Sequence, residues 1–510
     1  MPEGNKRQLL IVFIISSSFF FLYSFYSIYK YMTLNATGFD LGIYAASLHG
    51  FLNGNFFYSR LLNGSFFGSH FSPFMYVVAF FFWIFPHNAT LLVIQAFMVT
   101  FTAIPLYLIF QKISTGRVDN VKVILLILCY ETSIYSIGPL AFDFHMMALL
   151  PFFYSWALYY FISGKPVRES IAIAFMISLH ASFVIIFLLY LLVTRSYKYC
   201  KRGVITRIRA KPGKTMMLSL FYAAVVIGII GYFLTATKIR DFYGNTPYGD
   251  INSIHAFLNY LFIRYRITYS IQSLISNYPS KLSLVSIALI SGGFYALFSP
   301  MFLIPAIPYV LFSFFSANGA YISMGDQYTA MLSPIVFTSA FIGLARSRSK
   351  QAGKRILNNR IIKKTGSMIM IAAIVIGVLS GFFFPGAIFN SEPRLPAIEN
   401  FHYNDTAKAI FEIRGNISTN ACLLTQNNVY PEFDGFPNAY LLYSYTSVGN
   451  LSNLYSRNFT YIIADTYSSY YYQVDDVGTS MQKFIVRAQD SGQYSTYYDN
   501  YGIIVLRRIS

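Results

Sequence analysis

The stretch LLIVFIISSSFFFLYSFYSIY, residues 9–29, contains no charged side chain. At about 1.5 Å per residue, a helix of that length crosses the ~30 Å hydrocarbon core of a bilayer. It is too long for the apolar core of a signal peptide, and no small-residue cleavage pattern follows it, so it reads as a spanning helix. Comparable apolar runs recur along the 510 residues, of which 55% are hydrophobic, 19% aromatic and only 11% charged. A soluble helix would alternate an apolar stripe with a polar face, and these runs do not. The chain reads as a mainly α, polytopic transmembrane protein.

The net charge of +18 is distributed in a way that argues against a nucleic-acid partner. The last 124 residues are slightly acidic, and the basic excess sits in short loops between apolar runs of residues 1–386. This is the positive-inside pattern. Lys6 and Arg7 place the N-terminus in the cytoplasm, and 9–29 crosses outward. Residues 30–87 form an external loop with two expected interfacial helices, one from Asp40 to Leu52 and one following SHFSPF, where Ser72 would cap and Pro73 would open the helix. Further crossings are expected at 90–110, 121–138 and 146–162, a re-entrant pair of helices at 171–193 with His180 near its tip, and crossings at 216–235, 282–298, 301–317, 328–345 and 367–384.

Residues 387–510 then lie outside the cell membrane. ACLLT, AYLLY, YIIAD, STYYD and GIIVLRR read as strands, and 405–417 and 477–488 as helices, which makes a small extracytoplasmic α/β domain after a membrane domain of residues 1–386. Asn-X-Ser/Thr triplets at Asn35, Asn63, Asn88, Asn404, Asn416, Asn450 and Asn458 all fall in segments placed outside, which makes them glycosylation candidates. Cys129, Cys200 and Cys422 are too few and too scattered for a disulfide framework or a cysteine metal motif.

The external face is poor in carboxylates. Asp40, in GFDLGIY, is the only acid between Glu3 and Asp119, and Asp143 stands in FDFH. Either one at a helix start has a plain alternative role, capping backbone N–H groups. Their shared position, where a span meets the outer surface, suits a general base acting on a partly desolvated substrate. His70 and His145 would complete such a site as hydrogen-bond donors, and Asp-X-His leaves a divalent metal open as a cofactor. Arg264 and Arg266, alternating with aromatics in FIRYRITY, and Arg60 are the guanidinium groups placed to hold a lipid phosphate, or simply to meet solvent and headgroups. Glu131 lies within the span at 121–138; it reads as a functional acid or as a group tied by hydrogen bonds to Ser or Tyr of a neighbouring helix. For His180, the structural reading is favoured over a catalytic one.

The segments GFDLGIYAASL, SHFSPF, TLLVIQAFMVTFTAIPLYLI, AFDFHMMALLPFFY, DQYTAMLSPIVFTSAFIGLAR and LLTQNNVYPEF resemble, in that order, an uncharacterised family of predicted multi-pass membrane proteins grouped with the GT-C glycosyltransferases. GT-C enzymes include protein O-mannosyltransferases and aminoarabinose transferases. The resemblance implies a GT-C-like membrane domain with interfacial helices in its first external loop, a polyprenyl-phosphate sugar donor, an extracytoplasmic acceptor and inversion at the anomeric carbon. It puts Asp40 at the acidic position after the first span, as base, and Asp143 at the second acidic position. Gln327 stands where that family carries His, and His180, Ala181 and Ser182 where it carries charged residues. Two rival readings remain at this level: a transporter or lipid-carrier flippase using Glu131 and His180, and a non-catalytic surface binding protein on a transferase scaffold.

Overall fold

A computed structural model describes residues 3–114, 120–180, 183–202, 278–315, 319–346, 360–379, 403–442, 458–473 and 480–509. The expected span at 216–235, Arg264, Arg266, Asn450 and the expected domain boundary at 386/387 lie outside the described residues.

Among the described residues, four helical segments are long and apolar enough to cross a membrane: Asn5–Met32, Asn88–Ile113, Asn120–Phe142 and Gln327–Arg346. Their apolar cores differ in burial, from 22% for the first to 89% for the last, so the first lies at the rim and the last in the middle of the bundle. Leu10, Phe13, Ile14, Phe21 and Phe25 of the first are accordingly exposed, as lipid-facing side chains are. Shorter apolar helices at Met75–Ile84, Met146–Ile162, Phe183–Tyr197, Pro300–Phe315 and Thr365–Val378 pack around them.

The bundle closes where glycine lets backbones touch. A Cβ on Gly377 would lie 2.1 Å from the Thr132 carbonyl, at the break between helices Asn120–Glu131 and Ile134–Phe142. A Cβ on Gly343 would lie 1.9 Å from the Tyr295 carbonyl. Small residues at helix contacts are the usual means of close approach in lipid, where no hydrophobic gradient drives helices together.

The stretch at 171–193 is two helices, Pro166–Leu179 and Phe183–Arg202, separated at His180 in extended conformation. Ser72 does not cap the helix Met75–Ile84; its hydroxyl donates to the Leu179 carbonyl at 2.6 Å. The Phe74 amide donates to the Ser178 carbonyl at 3.1 Å. SHFSPF therefore serves as a clamp on the end of Pro166–Leu179, satisfying carbonyls that a helix C-terminus leaves open.

All five strands expected in the tail form. Here β1 (Tyr58–Ser59) and β2 (Gly64–Ser65) are a short hairpin in the first loop, and the tail contributes β3 (Leu423–Thr425), β4 (Ala439–Leu441), β5 (Tyr461–Asp465), β6 (Tyr494–Asn500) and β7 (Ile503–Arg508) in the order β4-β3-β5-β7-β6. β3 is parallel to both β4 and β5, while β7 is antiparallel to β5 and β6. Helix Asp405–Asn416, capped by the Asn404 side chain, packs Ala407, Ile410 and Ile413 on one face of this sheet. Helix Met481–Asp490 packs Met481, Ile485 and Ala488 on the other. Leu34 and Ala46 of the first loop join the tail core beside Tyr430 and Phe433, fixing the tail to one end of the bundle.

Candidate active site

Asp40 lies in a single π-helical turn, Gly38–Gly42, that leads into helix Ile43–Leu52. Its side chain caps neither element; the cap positions are Thr37 and Gly42, and neither makes a side-chain capping hydrogen bond. Asp40 is half-buried, close enough to Tyr44 for its charge to add to burial in raising that phenol's pKa.

Three contacts hold this turn. The Gly38 amide donates to the Asn427 carbonyl at 2.8 Å and to its side-chain Oδ1 at 3.0 Å. Tyr430 packs so closely that a Cβ on Gly42 would lie 2.7 Å from its ring and one on Gly38 3.0 Å from its Cβ. The third contact comes from Asp143, whose Oδ2 accepts from the Thr37 amide at 3.0 Å and the Thr37 hydroxyl at 2.7 Å.

Asp143 itself is buried, and its Oδ1 forms an ion pair with Lys30 at 2.9 Å. The same ammonium donates to the carbonyls of Ala141, at 2.9 Å, and Phe142. Lys30 thus uses all three of its donors at the end of helix Ile134–Phe142, where carbonyls are open and a cation is favoured. Sequence placed Asp143 beside Asp40 as a reactive carboxylate. The structure brings the two together through Thr37, with Asp143 committed to a buried ion pair. Asp143 also does not cap the following turn, where the His145 side chain takes that role.

His145 is buried and accepts the Met147 amide at Nδ1, 3.1 Å away, so its neutral ring carries the proton on Nε2. Burial pushes its pKa well below the ordinary histidine range, and the nearby His70 and His180 add to this. It is a neutral donor at pH 7. Its ring meets Tyr44 edge-on with centroids 5.6 Å apart, and its backbone amide donates to Gln95 Oε1 at 2.8 Å. His70 and His180 are half-buried neighbours with ring centroids 5.5 Å apart, joined by the SHFSPF clamp. Asp40, Tyr44, His145, His70 and His180 therefore form one contiguous set. His180 belongs to it although sequence favoured a structural role. Tyr44 is its hub, and sequence counted that residue only as part of an apolar stripe.

The remaining sequence candidates lie elsewhere. Arg60 donates from Nε to the Pro437 carbonyl at 3.2 Å, which ties the β1–β2 hairpin to the tail. Glu131 is buried in its span; its Oε1 accepts from the Ser16 hydroxyl of a neighbouring helix at 3.2 Å, while its Oε2 is buried without a hydrogen-bond partner. Ser16 is about 20 Å along the first helix from Lys30. A metal at Asp143-X-His145 does not suit the donors present: the Lys30 ammonium already supplies the positive charge at Asp143, and His145 Nδ1 is taken by an N–H. Among the described residues no group of three or more His, Cys, Asp or Glu is arranged to hold an ion. Asn63, Asn404, Asn416 and Asn458 are exposed, and Asn35 is half-buried. Asn88 is buried, and its amide nitrogen donates to the Pro431 carbonyl and Asp434 Oδ2, both at 2.7 Å. That nitrogen is the atom a glycan would occupy, so with the tail docked Asn88 is no acceptor.

This bundle with a first-loop turn pinned between spans and an α/β tail is that of a polytopic membrane protein with a GT-C-like fold. Its likeness to the apo structure of ArnT from Cupriavidus metallidurans, a GT-C glycosyltransferase, covers 94% of this chain and 96% of that one at a TM-score of 0.51 and 12% identity. The chain belongs to the DUF2079 family, described as "Predicted membrane protein", with residues 30–505 matched. No curated protein matches it in sequence.

Proposed function

We propose that this protein is a membrane-embedded glycosyltransferase that moves a sugar from a polyprenyl-phosphate donor to an acceptor hydroxyl on the extracytoplasmic face. The observation that carries the reading is Asp40 itself: a half-buried carboxylate on a turn held rigid by Asp143, Asn427 and Tyr430, within a GT-C-like fold. Preorganisation of this kind is what a general base requires.

In the reaction, Asp40 takes the acceptor hydroxyl's proton as its oxygen attacks the anomeric carbon from the face opposite the leaving group. The bond from that carbon to the phosphate oxygen breaks, the configuration inverts, and the lipid phosphate leaves as an anion. His145 and His70 contribute hydrogen bonds from imidazole N–H groups. Arg264 and Arg266 are proposed to neutralise the departing phosphate. Asp143 acts through Thr37 as a positioning residue. The N-terminus is cytoplasmic and the tail lies outside, as the basic loops indicate. The test is to supply purified protein in lipid nanodiscs with a polyprenyl-phosphate sugar and a panel of polar acceptors. Inverted product supports the reading. Movement of intact lipid-linked sugar between leaflets, without transfer, would replace it with the flippase reading.

A further inference from the structure

The helix that begins after the Asp40 turn has a second face. Ala46, His49 and Gly50 look toward the tail, and together with the β1–β2 hairpin and the loop 430–437 they enclose a cleft of about 120 Å³. Asp40 and Tyr44 are not part of its lining. Two glycines let the walls of the cleft pack closely against each other. A Cβ on Gly50 would lie 2.1 Å from the Tyr58 carbonyl, and one on Gly435 would lie 3.3 Å from the His49 ring.

The walls combine aromatic surface with hydrogen-bonding groups. Tyr58 supplies a partly exposed ring, and the exposed Asn53 and Asn55 supply amides. Asp434 is buried at 7% exposure, with Oδ1 3.5 Å from His49 Nε2. The Arg60 guanidinium, 5.9 Å over the Tyr58 ring, already donates to the Pro437 carbonyl. An anion entering here meets the Asp434 carboxyl, and a cation meets Arg60; neither charge is favoured. A neutral ligand with many hydroxyls and one apolar ring face satisfies both kinds of wall. That is the chemistry of a saccharide, whose C–H face stacks on aromatic rings while its hydroxyls bond to amides and carboxyls.

We propose that the cleft between helix Ile43–Leu52 and the tail is a saccharide-binding subsite that takes one pyranose unit, separate from the face that carries Asp40. A cavity of this size, open at one side, admits the edge of a single ring. The proposal does not depend on transfer chemistry. Tyr430 lines the cleft and also packs on Gly38 and Gly42, so an occupant would bear on the turn that carries Asp40.

The test is saturation-transfer NMR on the full chain in nanodiscs, using methyl glycosides of glucose, mannose and galactose as probes, with glucuronate and glucosamine as charged controls. The Asp40→Asn variant is run beside wild type to show that binding does not need the proposed base, and the variants of the lining residues Asn53, Asn55 and Tyr58 place it in the cleft. The expected result is saturable binding of at least one neutral glycoside, with a dissociation constant on the order of 1 mM, equal in wild type and Asp40→Asn. Asn53→Ala/Asn55→Ala should weaken it about tenfold, as expected for loss of two hydrogen-bonding groups. Tyr58→Leu should do the same while Tyr58→Phe retains binding, which keeps the test valid should the double variant misfold. No saturable binding, binding indifferent to these changes, or stronger binding of either charged control would overturn the proposal.

Discussion

Replacing Lys30 by Met tests whether Asp143 is part of the chemistry or part of the frame. Lys30 and Asp143 are 4% and 3% exposed in their side chains, and their contact is 2.9 Å. Removing one member of such a pair leaves a buried charge without compensation and costs about 3–5 kcal/mol. At roughly 2.1 cal/mol/K of unfolding entropy per residue, spread over 510 residues, that loss lowers the melting midpoint by at least about 3–5 °C. Lys30→Met/Asp143→Asn removes both charges, while the new amide oxygen still accepts from Thr37. The double variant should therefore recover most of the lost stability, and with it transfer to within about tenfold of wild type. The assay pairs intrinsic-fluorescence melting in nanodiscs with single-turnover transfer from a polyprenyl-phosphate sugar. A Lys30→Met protein that melts like wild type would refute the buried-pair argument. A double variant that is fully stable but as inactive as Asp143→Asn alone would show that the Asp143 carboxylate itself enters the reaction.

Other outcomes follow from the same geometry. Gly42→Ala forces a Cβ to within 2.7 Å of the Tyr430 ring and should cost about 1–3 kcal/mol; the penalty should vanish in a Tyr430→Ala background, measured by melting. Asn427→Ala removes one of two acceptors for the Gly38 amide, so it should cost about 1 kcal/mol and reduce transfer more than it reduces stability. Burial raises the Glu432 pKa to about 7 from an ordinary value of 4.5. The folded state therefore binds this proton more tightly than the unfolded chain, and stability falls as pH rises through 4.5 to 7. Glu432→Gln should accordingly be more stable than wild type at pH 8, by an amount on the order of 3 kcal/mol, with the gap closing toward pH 4.5. Equal melting midpoints for the two proteins at pH 8 would contradict the cause assigned to that shift.

Periodicity and charge were enough to read a helical membrane bundle and a small mixed tail, although the expected crossing at 282–298 is broken after helix Tyr278–Ser291. Apolar runs marked the spans, and alternation in YIIAD and GIIVLRR marked β5 and β7. The turn at Asp40 was visible as a lone carboxylate after the first apolar run. What holds it was not visible, because each partner arrives from far along the chain. Lys30 and Asp143 are 113 residues apart, and Gly38 and Asn427 are 389 apart. Local pattern carries no record of such pairings. Ser72-Pro73 has the local signature of a helix start, yet tertiary contact with Leu179 redirects the serine. The contact of Arg60 with the Pro437 carbonyl, 377 residues away, was equally invisible in the local pattern. Tyr44 looked like one apolar position among several, and only its neighbours Asp40, His145 and Phe144 distinguish it.

The central claim is that the Asp40 carboxylate removes a proton from the acceptor. Its most direct measurement is single-turnover sugar transfer by Asp40→Asn in nanodiscs, with folding checked by melting. The account predicts a loss of about 10²–10⁴-fold in rate with an unchanged melting midpoint. Transfer at the wild-type rate by a well-folded Asp40→Asn protein would contradict it.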